Sequence, residues 1–426
     1  MSIDSNRQRV LAKLAGADAA QRLRGIPSVC SAHPLVIEAA LRRALAEGVP
    51  ALIEATCNQV NQEGGYTGMT PAGFRVFVET IAKRVGFSLD QLILGGDHLG
   101  PNPWKSLSAE QAMLKAEAMV AAYVTAGFRK IHLDCSMGCA GEPAALDDAT
   151  TADRAASLAA VAERHANGAS LVYIIGTEVP PPGGATHEIV ELEVTSPAAV
   201  ATTLAVHREA FADAGVSAAL ERVVGVVVQP GVEFGNANVV LYQPEKAQSL
   251  SAALATIPGL VYEAHSTDYQ PAAALRSLVD DGFAILKVGP GLTFALREAL
   301  YGLDAIAAEL DGKPQALQPA MEHLMLAQPK HWASHYPGTP DEQRLQRHFS
   351  YSDRIRYYWP DAAAQQAVAA LLGRLDDGRQ IPQPLVSQHL ARLYPAVVSG
   401  SLPATPLDLC LAAIDAALDP YYAAVL

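Results

Sequence analysis

Leu92-Ile93-Leu94-Gly95-Gly96-Asp97-His98-Leu99-Gly100-Pro101 joins a short apolar run to an acid and an imidazole set side by side. A run of this length, closed by Gly-Pro, reads as a strand ended by a turn. If that strand belongs to a barrel, Asp97 and His98 sit at its C-terminal end, where barrel enzymes keep their chemistry. An adjacent imidazole and carboxylate suit a metal ligand and a group that moves protons. Asp-His also occurs in ordinary strand-to-helix turns, so the pair draws its weight from the rest of the chain.

Working outward, similar Val-, Ile- and Leu-rich runs recur between Ala-rich segments of helical periodicity, the pattern of a parallel sheet covered by helices. The candidate strands are Pro27-Ser31, Ala51-Ala55, Leu92-Gly96, Lys130-Asp134, Leu171-Ile175, Val223-Gln229, Leu260-Ala264 and Phe283-Val288. Helices are expected over 34–47, 70–85, 108–125, 152–167, 196–215, 244–255, 270–280 and 291–302. Eight such units predict an α/β fold, a closed (β/α)8 TIM barrel over residues 1–305 with its active site at the strand C-terminal ends. A doubly wound open sheet would call for a Gly-rich first turn, which Ser31-Ala32-His33-Pro34 does not supply. Residues 306–426 lack the strand pattern and read as a mostly helical C-terminal extension. Within it, His348-Phe349-Ser350-Tyr351-Ser352-Asp353-Arg354-Ile355-Arg356-Tyr357-Tyr358-Trp359 gathers aromatics and two arginines, for packing or oligomer contact, or for an anion.

The chain carries 44 acidic against 31 basic residues with no basic run, which argues against nucleic acid and anionic membranes as partners and favours a small molecule. No apolar stretch reaches membrane-span length, and Met1-Ser2-Ile3-Asp4-Ser5-Asn6 lacks the form of a signal sequence, so a cytoplasmic protein is expected. Five cysteines, with Cys135 and Cys139 lacking a second pair, read as reduced thiols rather than a structural zinc site. Cys135 has two open readings, a buried packing thiol and a nucleophile.

The expected strand ends present Ser31 and His33; Glu54, Thr56, Asn58 and Gln59; Asp97 and His98; Asp134 and Ser136; then Glu178, Gln229, Glu233, His265, Asp268 and Lys287. Single polar residues on loops need no special role. Two histidines converging with carboxylates and amides are what a catalytic divalent metal with an open position requires, and His98 and His265 are the leading ligands. Glu178 precedes a Pro run and Gly183-Gly184, which either fix a ligand beside a hinged lid or merely route a long connection. Lys287-Val288-Gly289-Pro290-Gly291 either offers backbone N–H groups to an anion or sugar or makes a plain tight turn. In Gln62-Glu63-Gly64-Gly65-Tyr66-Thr67-Gly68, Tyr66 either covers a substrate or lies on a surface loop.

The order of Cys57-Asn58-Gln59-Val60-Asn61-Gln62, Gly96-Asp97-His98-Leu99-Gly100-Pro101-Asn102-Pro103-Trp104, His132-Leu133-Asp134-Cys135-Ser136-Met137, Ile175-Gly176-Thr177-Glu178-Val179-Pro180 and Tyr351-Ser352-Asp353-Arg354-Ile355-Arg356-Tyr357-Tyr358-Trp359 closely resembles the tagatose-bisphosphate aldolase Z-subunit family across nearly the whole chain. The resemblance implies a barrel related to the metal-dependent class II aldolases. That family includes non-catalytic aldolase subunits and epimerases of tagatose or its 6-phosphate at C4. Asp97 resembles the aldolase proton carrier, His98 and His265 two metal ligands, and Asp134 an acidic neighbour of the metal. Gln229 falls where a third histidine is expected, and Ile174 where strand five has a glutamate, leaving Glu178 as its replacement. Ser266-Thr267-Asp268 and Gly289-Pro290-Gly291 depart from the Gly-rich phosphate loops, which argues against a bisphosphate.

The resemblance implies a metal-dependent ketohexose or ketohexose 6-phosphate 4-epimerase working by retro-aldol cleavage and re-addition. The metal, zinc ahead of nickel, manganese and cobalt, is expected on His98, His265, Gln229 and Glu178. Asp97 is the expected proton carrier, with Glu142 or Asp268 as a second acid-base group. Ser31, Asn58, Gln59, Asp134, Ser136, Lys287, Gly289, Arg354 and Arg356 are the expected substrate contacts, the last two and Lys287 for phosphate. The alternative is a non-catalytic stabilising subunit of a class II tagatose-1,6-bisphosphate aldolase; an autonomous bisphosphate aldolase is weaker still. Partners are thus a ketose, with a second copy or an aldolase catalytic subunit left open. A kinase has no support, since no Gly-rich Lys-Ser/Thr phosphate loop is present.

Overall fold

A computed structural model of the chain describes residues 11, 23–176, 192–376 and 378–426. Eight strands close into a parallel barrel: β1 (Ile26–Cys30), β2 (Ala51–Thr56), β3 (Leu92–Leu99), β4 (Lys130–Leu133), β5 (Val172–Ile175), β6 (Val223–Val227), β9 (Val261–Ala264) and β10 (Ile285–Val288). Each pairs with its neighbours in sequence, and β1 closes on β10 with Ser28 opposite Lys287. All eight expected strands form. A short antiparallel hairpin, β7 (Glu233–Phe234) with β8 (Val239–Val240), stands between β6 and β9 and was not anticipated, its strands being only two residues long.

The helices follow their caps. Thr70, Ser108, Asp147 and Ser196 each accept a backbone N–H from the first turn of the following helix. The Asp147 cap starts its helix at Asp148 rather than at 152. The helix expected to end at 302 runs over Pro290–Asp311, so the boundary drawn at 305 falls inside it. The extension shares one apolar core with the barrel's outer layer. Its last helix, Pro406–Val425, lies against Pro34–Glu47, Ala272–Asp280 and Pro290–Asp311. There the Tyr421 hydroxyl donates to the Thr267 carbonyl at 2.7 Å.

Strand alternation stacks the barrel interior in layers. The lower layer is apolar, with Ile26, Leu52, Ile93, Val172, Val261 and Ile285. Two residues along, the same inward faces carry Ser28, Glu54, Gly95, Lys130, Glu263 and Lys287, all buried. Lys130 is fully buried, its Nζ 2.6 Å from Glu54 and 2.7 Å from Glu263, ion-paired by distance though off the best hydrogen-bond angle. Gly95 belongs to this layer because a Cβ there would lie 2.8 Å from the Glu54 side chain. One glycine of the opening motif therefore makes room for a buried charge. Among the described residues, no helix is long and apolar enough to cross a membrane.

Candidate active site

The next step along the inward faces brings Thr56, Asp97, His132 and His265 to the C-terminal mouth. His98 joins them because its backbone turns left-handed, at φ 49°, an unusual conformation for a side-chain-bearing residue. Gly100 packs against the Asp134 carbonyl oxygen, 1.7 Å from where a Cβ would stand, so the ends of β3 and β4 approach closely. The His98 ring then reaches Asp134, with Nδ1 2.7 Å from Oδ2.

Three imidazoles face one another, with centroids 4.9 Å apart for His98 with His132 and for His98 with His265, and 5.3 Å for His132 with His265. Each has one nitrogen committed to an oxygen acceptor: His98 to Asp134, His132 Nε2 to the Gly176 carbonyl at 3.1 Å, and His265 Nε2 to Glu263 at 2.9 Å. Those bonds assign the protons and leave His98 Nε2, His132 Nδ1 and His265 Nδ1 as the lone-pair nitrogens. The His132 Nδ1 lone pair lies 3.0 Å from Asp97 Oδ1 and also accepts the His98 backbone N–H. A lone pair set against a carboxylate is a place for a cation, and outer oxygens orienting imidazoles are the usual surroundings of a metal. Asp97, His98, His132 and His265 can each present an atom within 4.8 Å of the others.

The charges agree. Glu54, Asp97, Asp134 and Glu263 face Lys130 and Lys287, a surplus of two negative charges when the imidazoles are neutral. Burial disfavours the Asp97 charge, but His98 when it carries a second proton, together with Lys287, outweighs burial and holds the carboxyl well below its usual range. Lys287 Nζ lies 2.6 Å from Asp97 and also contacts Glu54. Asp134 is likewise held low, its bond from His98 outweighing burial.

A cavity of about 260 Å³ opens over this cluster. Of the expected site residues, Asp97, His98, His265, Asn58, Gln59, Asp134, Asp268, Lys287, Gly289 and Arg356 line it. Tyr66 lines it too, edge-on to Tyr357 at 4.7 Å, as a covering residue should. Ser31 lies in an adjoining recess, and Ser136 reaches the site through Asp134, donating to its Oδ1 at 2.7 Å.

Other expectations need correction. Gln229 is buried outside the cavity lining, its Oε1 accepting the Gly231 and Val232 N–H groups at 2.8 and 3.0 Å; it shapes its loop, and His132 stands with the imidazoles instead. Glu142 is not at the mouth: it pairs with Arg154 and accepts the Cys139 N–H at 2.8 Å. Arg354 backs the site, its Nε bonded to the His331 carbonyl, because Arg354–Tyr358 is a 3-10 turn of three residues per turn, which puts Arg354 and Arg356 on different faces. Cys135 is a buried thiol pushed up by burial, not a nucleophile. Glu178 lies outside the described residues. His132 was not among the expected site residues, although the inward alternation Lys130, His132, Asp134 marks it in the sequence as facing the mouth.

The fold and this mouth define a (β/α)8-barrel enzyme. Residues 11–426 match the family described as D-tagatose-1,6-bisphosphate aldolase subunit GatZ/KbaZ-like, and the chain belongs to that family. It is 57% identical over 420 residues to a D-tagatose 6-phosphate 4-epimerase from Agrobacterium fabrum (strain C58), spanning 97% of this chain and 98% of that one. It is also similar to the crystal structure of a probable tagatose 6 phosphate kinase from Sinorhizobium meliloti 1021, with 60% identity and a TM-score of 0.88 over 94% of this chain and all of that one.

Proposed function

We propose that this protein is a metal-dependent ketohexose 6-phosphate 4-epimerase that interconverts the tagatose and fructose forms by retro-aldol cleavage and re-addition. The observation that carries the reading is the trio His98, His132 and His265 around Asp97, each imidazole oriented by an oxygen behind it. The similarity to a relative named as such an epimerase supports the substrate. The kinase name borne by another relative finds no Gly-rich Lys-Ser/Thr loop in this chain.

The three imidazoles, with Asp97 alongside, would hold the divalent metal, zinc first among candidates for a nitrogen-rich donor set. When bound, the metal supplies a Lewis acid for the ketose C2 carbonyl. Asp97, kept ionised by the Lys287 ammonium beside it, accepts the proton of the C4 hydroxyl. As that proton leaves, the C3–C4 bond breaks, its electron pair passes toward C2 and its oxygen, and C4 becomes an aldehyde. The aldehyde turns its other face, C3 re-forms the bond, and Asp97 returns the proton to O4. Lys287 fixes Asp97 throughout.

Arg356 and Lys105 are the lining cations not spent on barrel carboxylates, and they would receive the 6-phosphate. Arg356 is held by the Ser352 and Asp353 carbonyls and stacks 4.5 Å over Tyr357. Tyr66 and Tyr357 wall the cavity and keep the cleaved halves together.

The test is turnover of the purified, metal-loaded chain with tagatose 6-phosphate, read by 13C NMR with and without chelator. Chelator-sensitive inversion at C4, lowered roughly 10²–10⁴-fold by Asp97→Asn, is expected. Silence from a fully metal-loaded chain, together with co-purification of an aldolase, would replace this reading with the stabilising-subunit one.

A further inference from the structure

The helix Pro290–Asp311 begins at the cavity rim, and the first N–H groups of a 22-residue helix make a ready anion site. Here that site is filled from within. Asp268 Oδ1 accepts the Gly289 N–H at 3.0 Å and the Gly291 N–H at 2.7 Å; Pro290 between them has none to give. The fit is built: a Cβ at Gly291 would stand 2.9 Å from that same oxygen. Asp268 is 3% exposed, yet it lines the cavity. Asp353, also buried, adds a second carboxyl behind it, bonded to Thr293 of the same helix at 2.6 Å.

We propose that Asp268 is a specificity-determining residue: a built-in anion that closes this helix N-terminus and limits the substrate to one phosphate, with a free hydroxyl at the end reaching the β9–β10 rim. A phosphate brought there would meet a carboxylate already holding both N–H groups, losing the donors and gaining like-charge repulsion. A sugar hydroxyl can instead donate to the carboxylate. Ketohexose 1,6-bisphosphates are thus excluded, and 6-phosphates admitted. The substrate part of this inference rests on the 6-phosphate reading above; the closing of the helix end by Asp268 does not.

The test titrates the metal-loaded protein calorimetrically with fructose 6-phosphate and fructose 1,6-bisphosphate, and soaks crystals of parent and Asp268→Ser with inorganic phosphate. The parent is expected to favour the monophosphate by on the order of a hundredfold. In Asp268→Ser the preference shrinks to about tenfold or less, and phosphate seats on the Gly289 and Gly291 N–H groups. Asp268→Asn keeps an oxygen in place, retains the fold and loses only the charge, so its preference falls between the two. Equal affinities in the parent, or a preference unchanged in both variants, overturn the proposal. If Asp268→Ser does not fold, the Asn variant decides alone. Should the parent bind neither sugar, the epimerase reading fails while the soak still decides: phosphate on the helix end only in Asp268→Ser upholds the inference, and an empty helix end refutes it.

Discussion

Replacing Lys130 by methionine should destabilise the barrel more than almost any other single change to its interior. Lys130 is fully buried and sits between Glu54 and Glu263, also fully buried, at 2.6 and 2.7 Å. Without it, Lys287 alone must balance Glu54, Glu263 and Asp97, and Lys287 lies 3.6 Å from Glu263. Removing one partner of a buried ion pair typically costs about 3–5 kcal/mol, since the remaining charge stays desolvated. The stranded carboxylates escape by binding a proton, so their folded pKa rises. A raised folded pKa gives stability that is present at low pH and lost as pH rises, so Lys130→Met should fall further below the parent at pH 8 than at pH 5. Removing Glu54 as well leaves Lys287 to balance only Glu263 and Asp97, one buried carboxylate fewer, so Lys130→Met with Glu54→Gln should recover part of the loss. Urea unfolding followed by far-UV circular dichroism at both pH values measures this, or thermal inactivation rates where unfolding is irreversible. A single variant within about 1 kcal/mol of the parent, or a double variant worse than the single, would refute the reasoning.

Four further variants test the site and its surroundings. His132→Ala should purify with substoichiometric metal, and Asp134→Ala, which strips the oxygen behind His98, should weaken metal binding by roughly 10–100-fold; mass-spectrometric metal content and chelator competition read both. Arg356→Met should raise KM for the 6-phosphate by roughly 10–100-fold and leave the unphosphorylated sugar little changed, as steady-state kinetics would reveal. Burial pushes the Asp353 carboxyl from 3.8 up to about 7, against Arg297 and the Thr293 hydroxyl. Its folded pKa is raised, so its contribution is present below about pH 4 and lost as pH rises through 7, by up to ~4 kcal/mol. Asp353→Asn should flatten that decline in a series of melts between pH 5 and 8, and an unchanged slope would refute it.

The sequence alone determined the barrel, because alternation along a strand and periodicity along a helix are local properties that eight repeats make unmistakable. It also placed Asp97, His98, His265 and Lys287 at the mouth, since the C-terminal end of a strand is known once the strand is known. Tertiary structure decided which polar residues meet. Gln229 and Glu142 carry the right chemistry, but nearby backbone N–H groups and Arg154 engage them first, and such short-range competition leaves no mark in composition or spacing. His132 shares the inward face of β4 with Asp134, yet only the pairing of β3 with β4 and the left-handed backbone at His98 bring it within 4.9 Å of the His98 ring. Arg356 reaches the cavity from a segment more than 250 residues beyond β3 because the extension folds back onto the barrel. The same holds for Asp268, whose carboxylate looks like one more polar strand end until the start of the next helix closes around it. Periodicity fixes elements, whereas a buried charge is fixed by whatever donors the closed fold happens to bring within reach.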